Sequence, residues 1–143
     1  MEKTARARKI SFSETLLYRL DRFASLVTKA VESRLREVSG MSFSQFLVLM
    51  ALTEHDELQQ SKIAEYAGVT PAVITKQVEQ LAGKGLLQLG PSHQDRRANV
   101  VRLTAKGQTA AKAGLAAAEG AIMSEIKLAN HYQTKLNQLL SQL

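Results

Sequence analysis

The sequence predicts a mainly α fold with a small β-hairpin wing: a winged helix-turn-helix flanked by long N- and C-terminal helices. Three observations predict it. Residues 61–103 read as a short helix, a turn, a second helix, and two apolar runs separated by a polar, basic loop. Before and after that stretch, apolar residues recur at the steps of an amphipathic helix. The chain has 143 residues and only two prolines, enough length for one domain with a real core. Within that single domain, the expected parts are long helices over 10–40 and 104–143 and a lobe over 43–103, with the second helix of the helix-turn-helix at about 70–83 and a wing at about 86–103.

Residues 1–9, MEKTARARK, are polar and basic without periodicity and read as a frayed terminus, with an arm that touches phosphate as the sharper alternative. A helix then begins with Ser13 as its N-cap. Leu16, Leu20, Phe23, Val27, Ala30 and Leu35 form its apolar stripe, Arg19, Arg22, Lys29 and Arg36 stay outside, and Gly40 stops it. So long an apolar stripe needs a partner that the N-terminal half lacks, a first sign of dimerisation. Ser42 caps a second helix to about Glu54, with Phe46, Leu47, Leu49, Met50 and Leu52 on a broad apolar face. His55, Asp56 and Glu57 follow. Those residue types serve metal or acid–base sites, but consecutive side chains at a helix end diverge, so the expectation is a solvated turn.

A short helix from Gln60 or Ser61 to about Ala67 offers Ile63, Ala64 and either Tyr66 or Ala67 for burial. Gly68 suits a tight turn, and Val69 plugs the angle between helices. Thr70 caps the next helix, and Pro71 takes its first position, where a missing N–H costs nothing. Ile74, Val78 and Leu81 make a narrow inward stripe, leaving Ala72, Thr75, Lys76 and Glu79 outside with Val73 and Gln77 on the flanks. Short residues backed by a hydroxyl, an amine and an amide suit close approach to base edges.

Strands at Leu86–Leu89 and Asn99–Leu103 are joined by a loop over Gly90–Ala98, longer than the usual two to five residues. Adjacent Arg96 and Arg97 at its far side suit a wing in a minor groove. Asp95 beside them makes sense as a brace that fixes an arginine or a turn, and His93 reads as solvated. Thr104 caps the last helix, whose alanine-rich first part allows close helix approach, with Gly114 and Gly120 weakening it or marking contacts. Ile122, Ile126, Ala129, Leu136, Leu140 and Leu143 continue its stripe, with a break expected near Asn130–His131. Leu139, Leu140 and Leu143 would be an exposed patch on a monomer and want a partner.

Charge points to the same region. The net charge is +6, and residues 59–107 hold Lys62, Lys76, Lys84, Arg96, Arg97, Arg102 and Lys106 against Glu65, Glu79 and Asp95. A basic balance permits a polyanionic partner. With no cysteine, thiolate chemistry, disulfides and Cys-ligated metals are excluded. No apolar run approaches the ~20 residues of a membrane span, and no signal-peptide pattern opens the chain, so a cytoplasmic location without membrane association is expected. Three scattered histidines, His55, His93 and His131, no glycine-rich phosphate loop and no spaced carboxylate pair leave no catalytic constellation. Neither cofactor nor metal is expected.

Several stretches together resemble the MarR family of winged helix-turn-helix transcription regulators, from about Phe12 onward. They are Met41-Ser-Phe-Ser-Gln-Phe-Leu-Val-Leu49, Ile63-Ala64, Val73-Ile-Thr-Lys76, Leu81, Lys84-Gly-Leu86, Asp95-Arg-Arg97 and Leu103-Thr-Ala-Lys-Gly107. Each is weak alone, and their order and spacing carry the likeness. The resemblance implies a homodimer with intertwined terminal helices that binds a palindromic promoter site on double-stranded DNA, usually as a repressor. It also implies a small-molecule crevice between the dimerisation helices and the lobe. By matching positions it makes Arg97 the minor-groove arginine, Asp95 its structural partner, and the helix from Thr70 the major-groove reader. The chain departs from the family at Gln88 and Leu89, where arginine is common after the exit of that helix, and at Lys76, where arginine is frequent. On this reading Pro71, Ala72, Thr75 and Gln77 face base edges, and Lys62, Lys76, Lys84 and Arg102 are candidates for phosphate. A winged helix used for protein contacts is the competing class, separated by the salt dependence of duplex binding.

Overall fold

A computed structural model describes residues 15–140. The elements run α1 (Leu16–Ser39), α2 (Phe43–Thr53), α3 (Gln60–Ala67), α4 (Pro71–Gly83), β1 (Leu87–Pro91), β2 (Asn99–Leu103) and α5 (Ala105–Leu140). This is the mainly helical winged architecture that the periodicity predicts. Ser13, the 1–9 segment and Leu143 lie outside the described residues, as do the side chains of Leu136, Leu139 and Leu140.

The caps explain where helices begin. Thr15 accepts the Tyr18 amide at the start of α1, and Gly40, at φ 65°, ends it. At α2 a reciprocal box forms: Ser42 Oγ accepts the Gln45 amide while Gln45 Oε1 accepts the Ser42 amide. Thr104 Oγ1 accepts the Gly107 amide at 2.9 Å in the first turn of α5. Thr70 departs from the expectation, because its hydroxyl makes no capping bond. Its carbonyl instead accepts the Val73 and Ile74 amides, and Pro71 at N1 removes one donor that would otherwise need a partner.

The lobe closes around Met41, Val48, Leu49, Leu52, Ile63, Ile74, Val78, Leu81, Leu87, Val101 and Ala111, all buried. Each fully buried aliphatic side chain in it contributes about 1.5–3 kcal/mol. The predicted inward stripe of α4 is there in full. The hairpin is antiparallel, Leu87 opposite Leu103 and Pro91 opposite Asn99; the first strand starts one residue later and ends two residues later than expected, the second keeps its expected bounds, and the loop shrinks to residues 92–98. A bridge from Leu58 to Val101 adds a third short piece to its inner edge. Gly107 lets α5 start against this hairpin. A Cβ there would lie 2.0 Å from the Leu86 carbonyl oxygen, so no other residue fits.

Outside the lobe, α1 packs along α5 and a second, smaller core forms from Val31, Leu35, Phe46 and Ala118. The break expected near Asn130–His131 is absent, and α5 runs unbroken through both residues. Asparagine and histidine each cost only several tenths of a kcal/mol relative to alanine in a helix. Breaking and renucleating a helix costs more.

Candidate nucleic-acid interface

Helices α3 and α4 meet across Gly68, whose φ of 64° is open to glycine without strain, and Val69 packs into the core beneath the turn. The turn puts one face of α4 on the core and leaves Thr70, Pro71, Ala72, Val73, Thr75 and Lys76 exposed. Thr75 Oγ1 donates to Gln60 Oε1 at 3.0 Å, tying the outer face of α4 to the start of α3. Behind it, the buried Gln45 donates from Nε2 to Gln80 Oε1 at 2.9 Å, fixing α4 against α2. Tyr66 donates to Glu54 Oε2 at 2.6 Å, which holds α3 to the end of α2 and keeps the phenol proton above its ordinary pKa of 10.0.

The sequence-predicted residues do not all stand alike. Among the described residues, the side-chain charges of Lys76, Lys84, Arg96 and Arg97 enter no ion pair, and all four side chains are exposed. Lys62 is exposed but paired with Glu65 at 2.7 Å. Gln77 is half-buried with its Oε1 turned inward, not out with the base-facing set. Arg102 is the larger departure. Its side chain is 19% exposed, and its guanidinium pairs with Glu57 and donates to the Pro91 carbonyl at 2.7 Å, so it is committed to the base of the wing.

Asp95 braces a turn. Its Oδ1 accepts the Arg97 amide at 2.9 Å, and its carbonyl accepts the Ala98 amide at 2.9 Å. Ser92 Oγ accepts the amides of Gln94 and Asp95 at 3.1 and 3.3 Å, while the Ser92 amide reaches the Ala98 carbonyl at 2.8 Å. The loop is therefore wound on its own backbone with Arg96 and Arg97 facing outward.

Glu57 and Ser92 are the residues at the base of the wing whose pairing sequence reasoning missed. The turn at 55–58 is solvated at His55 and Asp56, but the Glu57 side chain is only 16% exposed. It accepts the Ser92 hydroxyl, the His93 amide at 3.2 and 3.3 Å, and the Arg102 guanidinium. The Ser92 hydrogen bond, then the His93 amide and Arg102, hold its carboxyl below the ordinary 4.5 against the partial desolvation that raises it. Its local sequence sign is slight: Leu58, an apolar residue just beyond three polar ones. No cluster of three or more metal-ligating side chains forms among the described residues. No helix among them is long and apolar enough to cross a membrane.

Comparison with known proteins adds the following. Residues 41–98 match the model of the MarR family. The uncharacterised HTH-type transcriptional regulator YdgJ of Bacillus subtilis (strain 168) is 29% identical over 82 residues, 57% of this chain and 50% of that protein. The HTH-type transcriptional repressor NicR of Pseudomonas putida is 38% identical over 63 residues, 44% of this chain and 40% of NicR. These matches thus span half or less of the curated relatives' length. CouR from Rhodococcus jostii RHA1, solved bound to p-coumaroyl-CoA, superposes with a TM-score of 0.75 at 22% identity, covering 90% of this chain and 94% of that one. The repressor CouR on a 23-mer DNA duplex gives 0.70 at 24% identity, covering 91% and 92%. At these identities the superpositions establish the winged helix fold.

Proposed function

From the match of residues 41–98 to the MarR family model we propose a sequence-specific transcriptional regulator that acts as a homodimer on a palindromic promoter site, as a repressor released by a small molecule. The observation that carries the reading is the pairing of two outward surfaces on one closed lobe. The exposed start of α4 presents short and polar side chains, and the wing presents Arg96 and Arg97 without ion-pair partners among the described residues. Pro71, Ala72 and Thr75 would meet base edges in the major groove, with Lys62, Lys76 and Lys84 on phosphate and Arg97 in the minor groove. Two lobes of one dimer would then address successive major grooves, about 34–36 Å apart.

Dimerisation has its own support. A single chain leaves Leu16, Leu17, Leu20, Phe23 and Leu26 of α1, and Met123, Ile126 and Leu128 of α5, exposed. An apolar surface of that extent on a monomer calls for a partner, and a second copy would cover it with like helices. For the effector, an open groove of about 540 Å³ lies between the end of α1, Met41, Leu86 and the first turns of α5, with Lys84 and Lys106 at its edge. Its size suits a small organic molecule, and CouR offers the precedent of a bound p-coumaroyl-CoA. A ligand there would act by favouring dimers whose lobes no longer match the site.

The test is recovery of genomic DNA bound to the chain, followed by affinity measurements on the recovered duplex at several salt concentrations. A steep salt dependence with preference for one palindromic sequence is expected. Arg97→Ala should weaken that binding about tenfold, on the scale of one lost arginine contact, with the dimer and helicity intact. Weak, sequence-indifferent binding would instead place the lobe among winged helices used for protein contacts.

A further inference from the structure

We propose that Glu57 is a positioning residue for DNA binding: with Ser92 and Arg102 it clamps the wing and sets the direction in which Arg96 and Arg97 leave it. The proposal rests on the DNA-binding reading above and adds to it a residue that lies on neither the reading helix nor the wing.

The clamp grips both limbs of the hairpin at one carboxylate. Ser92 and His93, at the loop's entry, donate to Glu57, and Arg102, on the returning strand, donates to it as well. Arg102 also reaches across to the Pro91 carbonyl at 2.7 Å, so the two limbs are bound to each other and to the α2–α3 connection. The Leu58–Val101 bridge, with N···O distances of 2.8 and 3.1 Å, holds that connection against β2. From Glu57 a continuous line of hydrogen bonds runs outward. Ser92 Oγ receives the Gln94 and Asp95 amides, and Asp95 Oδ1 receives the Arg97 amide. The backbone that carries the two arginines is therefore referred to a carboxylate anchored in the lobe.

Physical chemistry favours geometry over stability as the role of this pair. Glu57 and Arg102 are both largely withdrawn from water, and a buried ion pair returns little net stability once desolvation is counted. What such a pair supplies is a fixed direction. A loop of residues 92–98, outside the strand register, would otherwise have to be ordered when DNA binds, at a cost in affinity. Holding it in place beforehand removes that cost. The pairing also neutralises Glu57, so a carboxylate beneath the wing does not repel phosphate.

The experiment uses the full chain and the genomic duplex that it retains most tightly, at fixed salt. Affinity is measured for the wild type, Glu57→Gln, Arg97→Ala and the double variant, and amide exchange of His93, Gln94, Asp95 and Arg97 is measured without DNA. Glu57→Gln should speed exchange at those amides, weaken duplex binding about tenfold, and shrink the further effect of Arg97→Ala, because an arginine on a loose wing contributes less. An Arg97→Ala step of the same size in both backgrounds would overturn the clamp as a positioning device, whatever Glu57→Gln does to folding stability. If Arg97→Ala has no effect in the wild type, the wing reading fails; unchanged exchange in Glu57→Gln would sink the clamp separately. Ser92→Ala, which keeps the Glu57–Arg102 pair, gives the same two readouts should Glu57→Gln fail to fold.

Discussion

In the lobe Leu49, Ile63, Ile74 and Leu81 are wholly buried, whereas on α1 Leu16, Leu17 and Leu20 are 72, 69 and 57% exposed. Both regions carry leucine at helical spacing, so the sequence pattern alone does not separate them. The difference lies in what faces each stripe. Helices α2, α3 and α4 and the hairpin converge on a common centre, and every stripe finds a neighbour within the chain. Helix α1 packs along α5, yet both elements retain exposed apolar residues. One region is finished by folding, and the other would be finished by the association proposed above.

The largest expected effect tests the unfinished side. Leu20→Asp with Phe23→Asp removes two apolar contacts, each worth about 1.5–3 kcal/mol, and a two-fold dimer loses them in both copies. Sedimentation should show monomers at micromolar concentration, with the lobe still folded by its chemical shifts. A dimer that survives the double substitution would mean that these residues are covered by something else. On the finished side, Leu49→Ala should cost about 2–5 kcal/mol, the range for a leucine deleted from a packed core. Urea unfolding of the monomeric double variant, with and without Leu49→Ala, isolates that loss from association.

Local chemistry was legible in the sequence, and long-range pairing was not. Gly68, Pro71, the Ser42 cap and the Ile74–Val78–Leu81 stripe act over one or two turns, so residue type and spacing suffice to place them. Glu57 and Arg102 are 45 positions apart, and nothing at either position marks the other. Arg102 therefore looked like one more surface cation, and the turn at 55–58 looked merely solvated. The continuity of α5 through Asn130–His131 was missed for a different reason. Weak local preferences are overridden by the cooperativity of a long helix. Gln77 fell between faces, and only the packed lobe shows its carbonyl oxygen turned inward.

The junction between the two regions offers a smaller effect. Ser42 caps α2 directly after Gly40 ends α1, and its partner Gln45 also reaches Gln80 on α4. Ser42→Ala should cost about 0.5–2 kcal/mol through the cap alone. The variant keeps the backbone amide of residue 42 that Gln45 Oε1 accepts, so the Gln45–Gln80 contact should hold and amide exchange in the last turns of α4 should not change. Faster exchange there would show that the Ser42 hydroxyl also steadies α4 against α2.

The smallest effect concerns acidity, and at neutral pH it vanishes. Glu57 has its carboxyl held below the ordinary 4.5 by Ser92, His93 and Arg102. A depressed folded-state pKa means that the clamp's contribution is fully present above the ordinary carboxylate value and is lost as pH falls through the lower folded value. The side-chain carboxyl carbon resonance of Glu57 should therefore stay constant from pH 7 down to about the ordinary carboxylate pKa and move only below it. The core of the lobe holds no such group among Leu49, Ile63, Ile74 and Leu81, so its resonances should not follow that midpoint. A Glu57 midpoint at or above 4.5 would mean that in solution Glu57 is exposed to water and the hairpin is free of it. The finished lobe would then end at β2, and the arginines of the wing would belong, like the first turns of α1 in the proposed dimer, to the part of the chain that a partner would complete.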